Sequence, residues 1–443
     1  IPLRLVGSEM LYKRQIKNYT HSVDLWMKNS GLIIDCDEKK NALRNLFKNS
    51  KVAFIYGAAG TGKSTMINYI SSLFKDKQKI FLANTNPAVE NLRRKVTAEH
   101  AEFVTITKFL SKDVSNDCDI LCLDECSTIS NRDMVRVLQR AQCKLLVLVG
   151  DIYQIESILF GNWFNIAYKV MPKDSVAELT RPHRTTVQGL IEVWNKVREI
   201  TEDRLEFITR NGLSSTLDES IFSRTEEDEI VLCLNYDGIY GINNINKFLQ
   251  SNNVNPSINW GVLSYKVGDP VLFNESNRFA PLVYNNLKGK ILQIEEEEDC
   301  IYFTIEVYTV LNELDVIGFD LELKESVTDE TSVIRFKVGR GGDGNDDNDN
   351  VENVVPFQVA YAISIHKAQG LEYESVKVVI TSEIEEMVSH NIFYTAITRA
   401  KSKLKIYWSP ETEKRILENM KVQFNDKDYQ LFKAKYKEAL LKS

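Results

Sequence analysis

No run of about 18 consecutive apolar residues occurs in this 443-residue chain, so no membrane-spanning helix is expected. No secretory signal pattern opens it. It begins at Ile1 rather than methionine, as a fragment, a trimmed chain or a processed product does. Cysteine is scarce: seven residues, an odd number, lie scattered along the chain. That excludes a disulfide framework and fits a reduced, cytoplasmic protein. The usual zinc-ligand spacings are missing, and Cys118, Cys122 and Cys126 read as small core residues. Positive charge is not in excess either. The net charge of −7 carries no overall nucleic-acid signature and leaves such binding to local basic grooves. The rest is an ordinary soluble globular composition, 43% apolar and 26% charged, at a length that predicts about three domains.

One stretch organises the chain. Val52 to Tyr56 is an apolar run that reads as a buried strand. Gly57-Ala-Ala-Gly60-Thr61-Gly62-Lys63-Ser64 follows, fitting G-x-x-x-x-G-K-[ST], and Thr65 to Phe74 has apolar residues at helical spacing. Strand, glycine loop and helix are the context of a phosphate-binding P-loop. Glycines let backbone N–H groups turn inward around phosphate oxygens, and the helix start adds partial positive charge. In that pattern Lys63 reaches the β- and γ-phosphates and the Ser64 hydroxyl ligates Mg²⁺.

Further strands end in polar residues at regular intervals. Lys79 to Ala83 leads into Asn84-Thr85-Asn86 and a basic helix, placing Thr85 and Asn86 at the carboxyl edge of a sheet, where open α/β sheets bind ligands. Asp119 to Leu123 ends in Asp124-Glu125. Beside a P-loop, Asp124 suits Mg²⁺ and Glu125 suits polarising the attacking water. Lys144 to Gly150 ends in Asp151-Ile-Tyr-Gln154, where Asp151 and Gln154 are placed to sense the γ-phosphate. Residues 258–338 change texture, with Val, Ile, Tyr and Phe between turn signals, and predict a small inserted β-barrel. Residues 339–353 are mostly Gly, Asp and Asn and read as an exposed acidic loop. The α/β texture then resumes.

Taken together, these segments resemble a superfamily 1 helicase motor, closest to the RecD-like branch. GAAGTGKST resembles motif I, ANTNPAVENL motif Ia, LDECS motif II, VGDIYQI motif III, LTRPHR motif IV, YAISIHKAQGLE motif V and YTAITRAK motif VI. VTITKFL resembles the segment that follows motif Ia, and GDPVLFNESNRFAPLVYNNLKGKILQI the start of the Src-homology-3-like barrel that this branch inserts. The resemblance implies an α/β fold with two RecA-like P-loop domains and ATP with Mg²⁺ in the cleft between them. The nucleotide site then comprises Gly57, Gly60, Thr61, Gly62, Lys63, Ser64 and Thr65, with Gln369, Gly370 and Glu372 from motif V. Catalysis falls to Lys63, Asp124, Glu125, Gln154 and the arginines Arg184 and Arg399. Thr85, Asn86, Thr107, Ser364, His366 and Lys367 are the implied single-strand contacts, of a kind that carries no base information. Phe109, Tyr153 and Trp163 are aromatics of the kind that stacks on bases, although core packing is the expected role for any single one of them.

The expected domains are an N-terminal extension (1–32), a first motor domain (33–178), a second motor domain (179–257 and 354–410) holding the inserted barrel (258–338) and the acidic loop (339–353), and C-terminal helices (411–443). Three departures from the family pattern matter. Lys39 or Lys40 stands where the family commonly places an adenine-reading glutamine. Only Ser111 to Asp117 separate Leu110 from Cys118, too few residues for the branch's strand-separating hairpin. Ser364 replaces a usual threonine. The expectation is therefore an ATP-driven translocase on single-stranded DNA, moving 5′→3′, with further domains or subunits supplying strand separation and no membrane partner. An RNA helicase and a nucleic-acid-gated regulatory ATPase module of a larger protein are the alternatives.

Overall fold

The structure, a computed structural model, describes residues 25, 34, 36–46, 52–111, 116–155, 161–274, 278–280, 282–326, 328–340, 353–421 and 426–441. The expected N-terminal extension, apart from residue 25, and nearly all of the acidic loop lie outside the described residues. Two compact units form. The first is Ile1–Ile200 with Ser389–Thr398 and Met420–Ser443; the second is Thr201–Val388 with Arg399–Asn419.

The first unit is built on a six-stranded, all-parallel sheet in the order β3-β2-β4-β5-β1-β6. Its strands are β1 (Val52–Gly57), β2 (Lys79–Ala83), β3 (Ala101–Thr105), β4 (Asp117–Leu123), β5 (Gln142–Gly150) and β6 (Val176–Leu179). Successive side chains on a strand face opposite ways, and both faces here are buried, so the strands are apolar nearly throughout. Ala53, Ile55, Phe81, Val147 and Val149 point to one core, where Met66, Ile67 and Ile70 of the helix Lys63–Leu73 pack. Val52, Phe54, Leu82, Leu121 and Leu148 point to the other, against Met134, Val137, Trp163 and Phe164. Phe54 and Phe164 stack at 4.4 Å. Phe109 and Trp163 are core residues, the role expected for any single one of the aromatics, at 0% and 3% exposed; the Trp163 indole donates to Ile129 O at 2.9 Å.

The second unit holds a five-stranded parallel sheet, β17-β8-β18-β19-β7. Its strands are β7 (Ser214–Ser215), β8 (Glu229–Cys233), β17 (Ala362–Ser364), β18 (Tyr373–Val379) and β19 (Ala400–Tyr407). Between β8 and β17 in sequence come a two-stranded hairpin, β9 (Ser257–Trp260) with β10 (Leu263–Lys266), and a six-stranded antiparallel sheet. That sheet runs β14-β15-β13-β12-β11-β16, with β11 (Pro270–Phe273), β12 (Lys288–Glu296), β13 (Cys300–Val307), β14 (Glu322–Lys324), β15 (Ser332–Gly339) and β16 (Phe357–Val359). Burial alternates strictly along β13, so Ile301, Phe303, Ile305 and Val307 face one apolar core and their neighbours face outward.

Segments 179–200 and 389–398, expected in the second motor domain, pack with the first unit. Hydrogen bonds to the first unit hold them there: the His183 N–H donates to Gly60 O at 2.6 Å and the Ile155 N–H to Thr395 Oγ1 at 3.2 Å, while the Trp194 indole ties the two segments together through Ile397 O at 3.0 Å. Helices Pro410–Asn419 and Asp426–Leu441 occupy the C-terminal region. Among the described residues no helix is long and apolar enough to cross a membrane.

Candidate functional site

The glycine loop joins β1 to the helix Lys63–Leu73, as the spacing predicts. Gly60 and Gly62 carry positive φ (74° and 81°), a conformation costly for residues with a Cβ. Gly60 is also enclosed: a Cβ there would fall 2.4 Å from Arg184 Cβ. The Thr61 hydroxyl donates to Ala58 O at 2.9 Å and braces the turn. The Lys63 ammonium donates to Gly57 O and Ala58 O at 2.8 and 2.9 Å. Ser64 is half-buried in the first helical turn, and Thr65 is exposed beside it.

Two neighbouring strand ends face this loop. Asp151, at the end of β5, is 3% exposed; its Oδ2 lies 3.9 Å from Lys63 Nζ and accepts from Gln154 Nε2 at 3.1 Å. Its Oδ1 accepts from the Tyr153 N–H at 3.0 Å. Asp124, at the end of β4, accepts the Glu125 N–H at 2.8 Å. Burial raises the Asp124 carboxyl above its ordinary value; the Glu125 N–H and the charges of Lys63 and Lys95 oppose that rise. Glu125 itself has φ 50°, a left-handed conformation rare for a non-glycine residue. Such outliers cluster at functional sites, where surrounding structure holds the strain.

Two segments remote in sequence close over the loop within the same unit. The His183 N–H donates to Gly60 O at 2.6 Å, and Arg184 Nη1 donates to Thr398 O at 2.6 Å. The Ala59 N–H donates to Tyr394 Oη at 3.3 Å, and the Ile155 N–H to Thr395 Oγ1 at 3.2 Å. Tyr153 meets Tyr394 edge-on at 6.1 Å, under the Arg198 guanidinium. Lys39, buried on the helix Asp37–Leu46, brings its ammonium against Gly62, whereas Lys40 pairs with Asp37. Tyr394 and Lys39 thus join the loop, and Thr395 the segment after β5, although sequence reading gave them no contact there. Tyr394 and Thr395 lay inside a quoted motif, but nothing in their spacing announces contacts across hundreds of residues.

The remaining first-unit candidates sit at the sheet's carboxyl edge. Thr85 is exposed and caps the helix Asn86–Lys95, accepting the Ala88 N–H at 3.4 Å; Asn86 and Thr107 are exposed nearby in sequence at helix starts. In the second unit Ser364 ends β17, and its hydroxyl accepts the Lys367 N–H at 3.3 Å. His366 is exposed, and Lys367 donates to Gln358 Oε1 at 2.9 Å. Among the described residues Gln369 Nε2 is buried without a hydrogen-bond partner, Gly370 has φ 82°, and Glu372 O accepts from Lys288 Nζ at 3.2 Å. Arg399 is 2% exposed and donates to Leu371 O at 3.2 Å.

Residues 36–218 match the AAA domain family, and residues 359–407 match the UvrD-like helicase C-terminal domain family. The chain is 24% identical to an uncharacterised protein of Methanocaldococcus jannaschii over 83% of its length, yet spans only 37% of that relative. It is 23% identical to the RecD subunit of the RecBCD enzyme of Buchnera aphidicola subsp. Schizaphis graminum, covering 87% of this chain and 78% of that one. It is also 23% identical to the ATP-dependent DNA helicase Pif1 of Campylobacter jejuni subsp. jejuni, covering 80% and 88%. Among solved structures, Pif1 helicase from Bacteroides in complex with ADP-AlF3 and ssDNA matches with a TM-score of 0.52 at 17% identity, over 92% of this chain and 98% of that one. At that identity the likeness is one of fold.

Proposed function

The chain belongs to the superfamily 1 helicases of the RecD/Pif1 type, and from that premise we propose that it is an ATP-driven motor on single-stranded DNA, moving 5′→3′. One observation carries the reading furthest. Lys63 of the glycine loop, Asp151 and Gln154 at a strand end, and Tyr394 on a remote helix form one hydrogen-bonded and ion-paired surround of a phosphate-binding loop. A site that only held nucleotide has no need of a carboxylate and amide tied to the loop lysine. A site that must report hydrolysis does.

In this reading the loop N–H groups and Lys63 hold the β- and γ-phosphates. Glu125 orients the attacking water, Gln154 responds to the γ-phosphate through Asp151, and Arg184 and Arg399 stabilise transferred charge. Ser64 and Asp124 would hold Mg²⁺; an all-oxygen donor set with a carboxylate raised by burial fits that hard cation. When bound, the ion neutralises charge on phosphate oxygens. Thr85, Asn86, Thr107, Ser364, His366 and Lys367 are proposed as strand contacts. The antiparallel sheet of the second unit takes the place of the family's Src-homology-3-like barrel, and the protein acts in the cytoplasm. Strand separation is assigned to further domains or subunits.

The test is ATP hydrolysis by the full chain with and without matched DNA and RNA oligomers at several salt concentrations. Many-fold stimulation by single-stranded DNA that declines with salt is expected. Equal rates with and without nucleic acid would sink the motor reading, and preferential stimulation by RNA would move the substrate to RNA. Translocation against 5′ and 3′ end labels reads direction.

A further inference from the structure

Lys39 is only 5% exposed, and among the described residues its ammonium makes no hydrogen bond and no ion pair. The stem of the side chain is packed away and fixes where the ammonium sits, while the ammonium itself has no protein anion beside it among the described residues. The side chain is aimed at one place. A Cβ built on Gly62 would fall 2.5 Å from Lys39 Nζ and 3.0 Å from its Cε, with His183 Cδ2 at 3.6 Å. Gly62 is the N-cap of the helix Lys63–Leu73, so the positive pole of that helix lies beside the Lys39 ammonium. On the same helix Glu38 forms no ion pair with Lys39: its Oε1 accepts the Thr180 N–H at 2.8 Å and the Thr180 hydroxyl at 2.7 Å, while among the described residues its Oε2 is buried without a hydrogen-bond partner. Lys63 is held elsewhere on the loop, on Gly57 O and Ala58 O.

We propose that Lys39 is a second phosphate-binding cation of this loop, pairing with a non-bridging oxygen of the nucleotide's α- or β-phosphate beside Gly62. The inference rests on the reading of residues 57–64 as a nucleotide phosphate site and adds a residue to it. A lysine ammonium suits the task because it is a compact point charge with three donors. Its place against Gly62 of the loop sets its donors beside the phosphate chain rather than at a base edge. Lys39 therefore contributes affinity for the phosphate chain and no selection among bases.

The experiment compares the wild-type full chain with Lys39→Met and Lys39→Arg. Titrations use inorganic tripolyphosphate, ATP, GTP, CTP and UTP, and thermal melts are recorded with and without each. Lys39→Met should bind tripolyphosphate and all four nucleotides about tenfold or more weakly, by a similar factor for each, as expected for loss of one charge-assisted hydrogen bond. Lys39→Arg should recover most of the affinity. Without ligand, Lys39→Met should melt no lower than wild type, because methionine keeps the packed stem at similar volume and the ammonium it removes pairs with no protein anion among the described residues. Unchanged tripolyphosphate affinity, or a loss confined to purine nucleotides, would overturn the proposal. A lower melting point with unchanged affinity would also overturn it, by making Lys39 structural. If the wild type itself takes up no tripolyphosphate, the phosphate-site reading fails as well.

Discussion

The Lys63 ammonium stands 3.9 Å from the Asp151 carboxylate, on the oxygen that also accepts from Gln154 at 3.1 Å. Asp151 is therefore a shared anchor: it positions the lysine of the loop and the amide of the next strand end together. Gln154→Ala should lower kcat about 10²-fold while changing nucleotide affinity little, since the amide is proposed to act on the γ-phosphate during hydrolysis. Asp151→Asn should lower both, because it also releases Lys63. Steady-state hydrolysis alongside equilibrium ADP binding separates the two.

Glu125 combines a proposed catalytic carboxylate with a left-handed backbone at φ 50°. Glycine adopts that conformation without a Cβ penalty. Glu125→Gly should therefore be more stable than Glu125→Ala by about 1 kcal/mol, with both variants hydrolytically dead. Urea denaturation reads the first part. Equal stability of the two variants would show that the local backbone is relaxed.

The second unit contains a buried ion pair, Lys377 Nζ to Glu229 Oε1 at 3.0 Å, with side chains 7% and 2% exposed. Glu229 Oε2 also accepts from the Ser375 and Thr225 hydroxyls, each at 2.9 Å. Lys377→Met leaves that carboxylate buried without its cation and should cost about 3–5 kcal/mol. The double change Lys377→Met with Glu229→Leu should recover much of the loss. Denaturant midpoints of the single and double variants check this.

Asp119 gives a pH-dependent contribution. A hydrogen bond from Lys144, at 2.6 Å, holds its carboxyl below the ordinary aspartate value; burial works against this, and the Gln78 N–H adds to it. A carboxyl depressed by folding contributes stability above the ordinary value of 3.8, and that contribution is lost as pH falls through the lower folded value. Asp119→Asn should accordingly be destabilising at pH 7, with the difference shrinking in the acid range below that value. Thermal melts across pH follow it.

Much of the site was legible in the chain itself. The loop, the paired acids at 124–125 and Gln154 all sit at strand ends, because apolar runs closed by polar residues mark where a buried strand leaves its sheet. The membership of segments 179–200 and 389–398 was not legible. It depends on contacts such as Ala59 with Tyr394, 335 residues apart in sequence. Nor does composition separate a base-stacking aromatic from a core one, which is why Phe109 and Trp163 remained candidates until their burial was known.

By itself the sequence determined the strand–loop–helix units, their apolar alternation and the family, since these follow from local periodicity and from the short-range geometry that glycine permits. The tertiary structure alone decided that Tyr394 reaches the Ala59 N–H, that Arg184 lies against Gly60, and that Lys39 rather than Lys40 faces the loop. Those outcomes depend on which side chains a folded chain brings within a few ångströms of each other, and adjacent lysines on one helix differ by about 100° in direction.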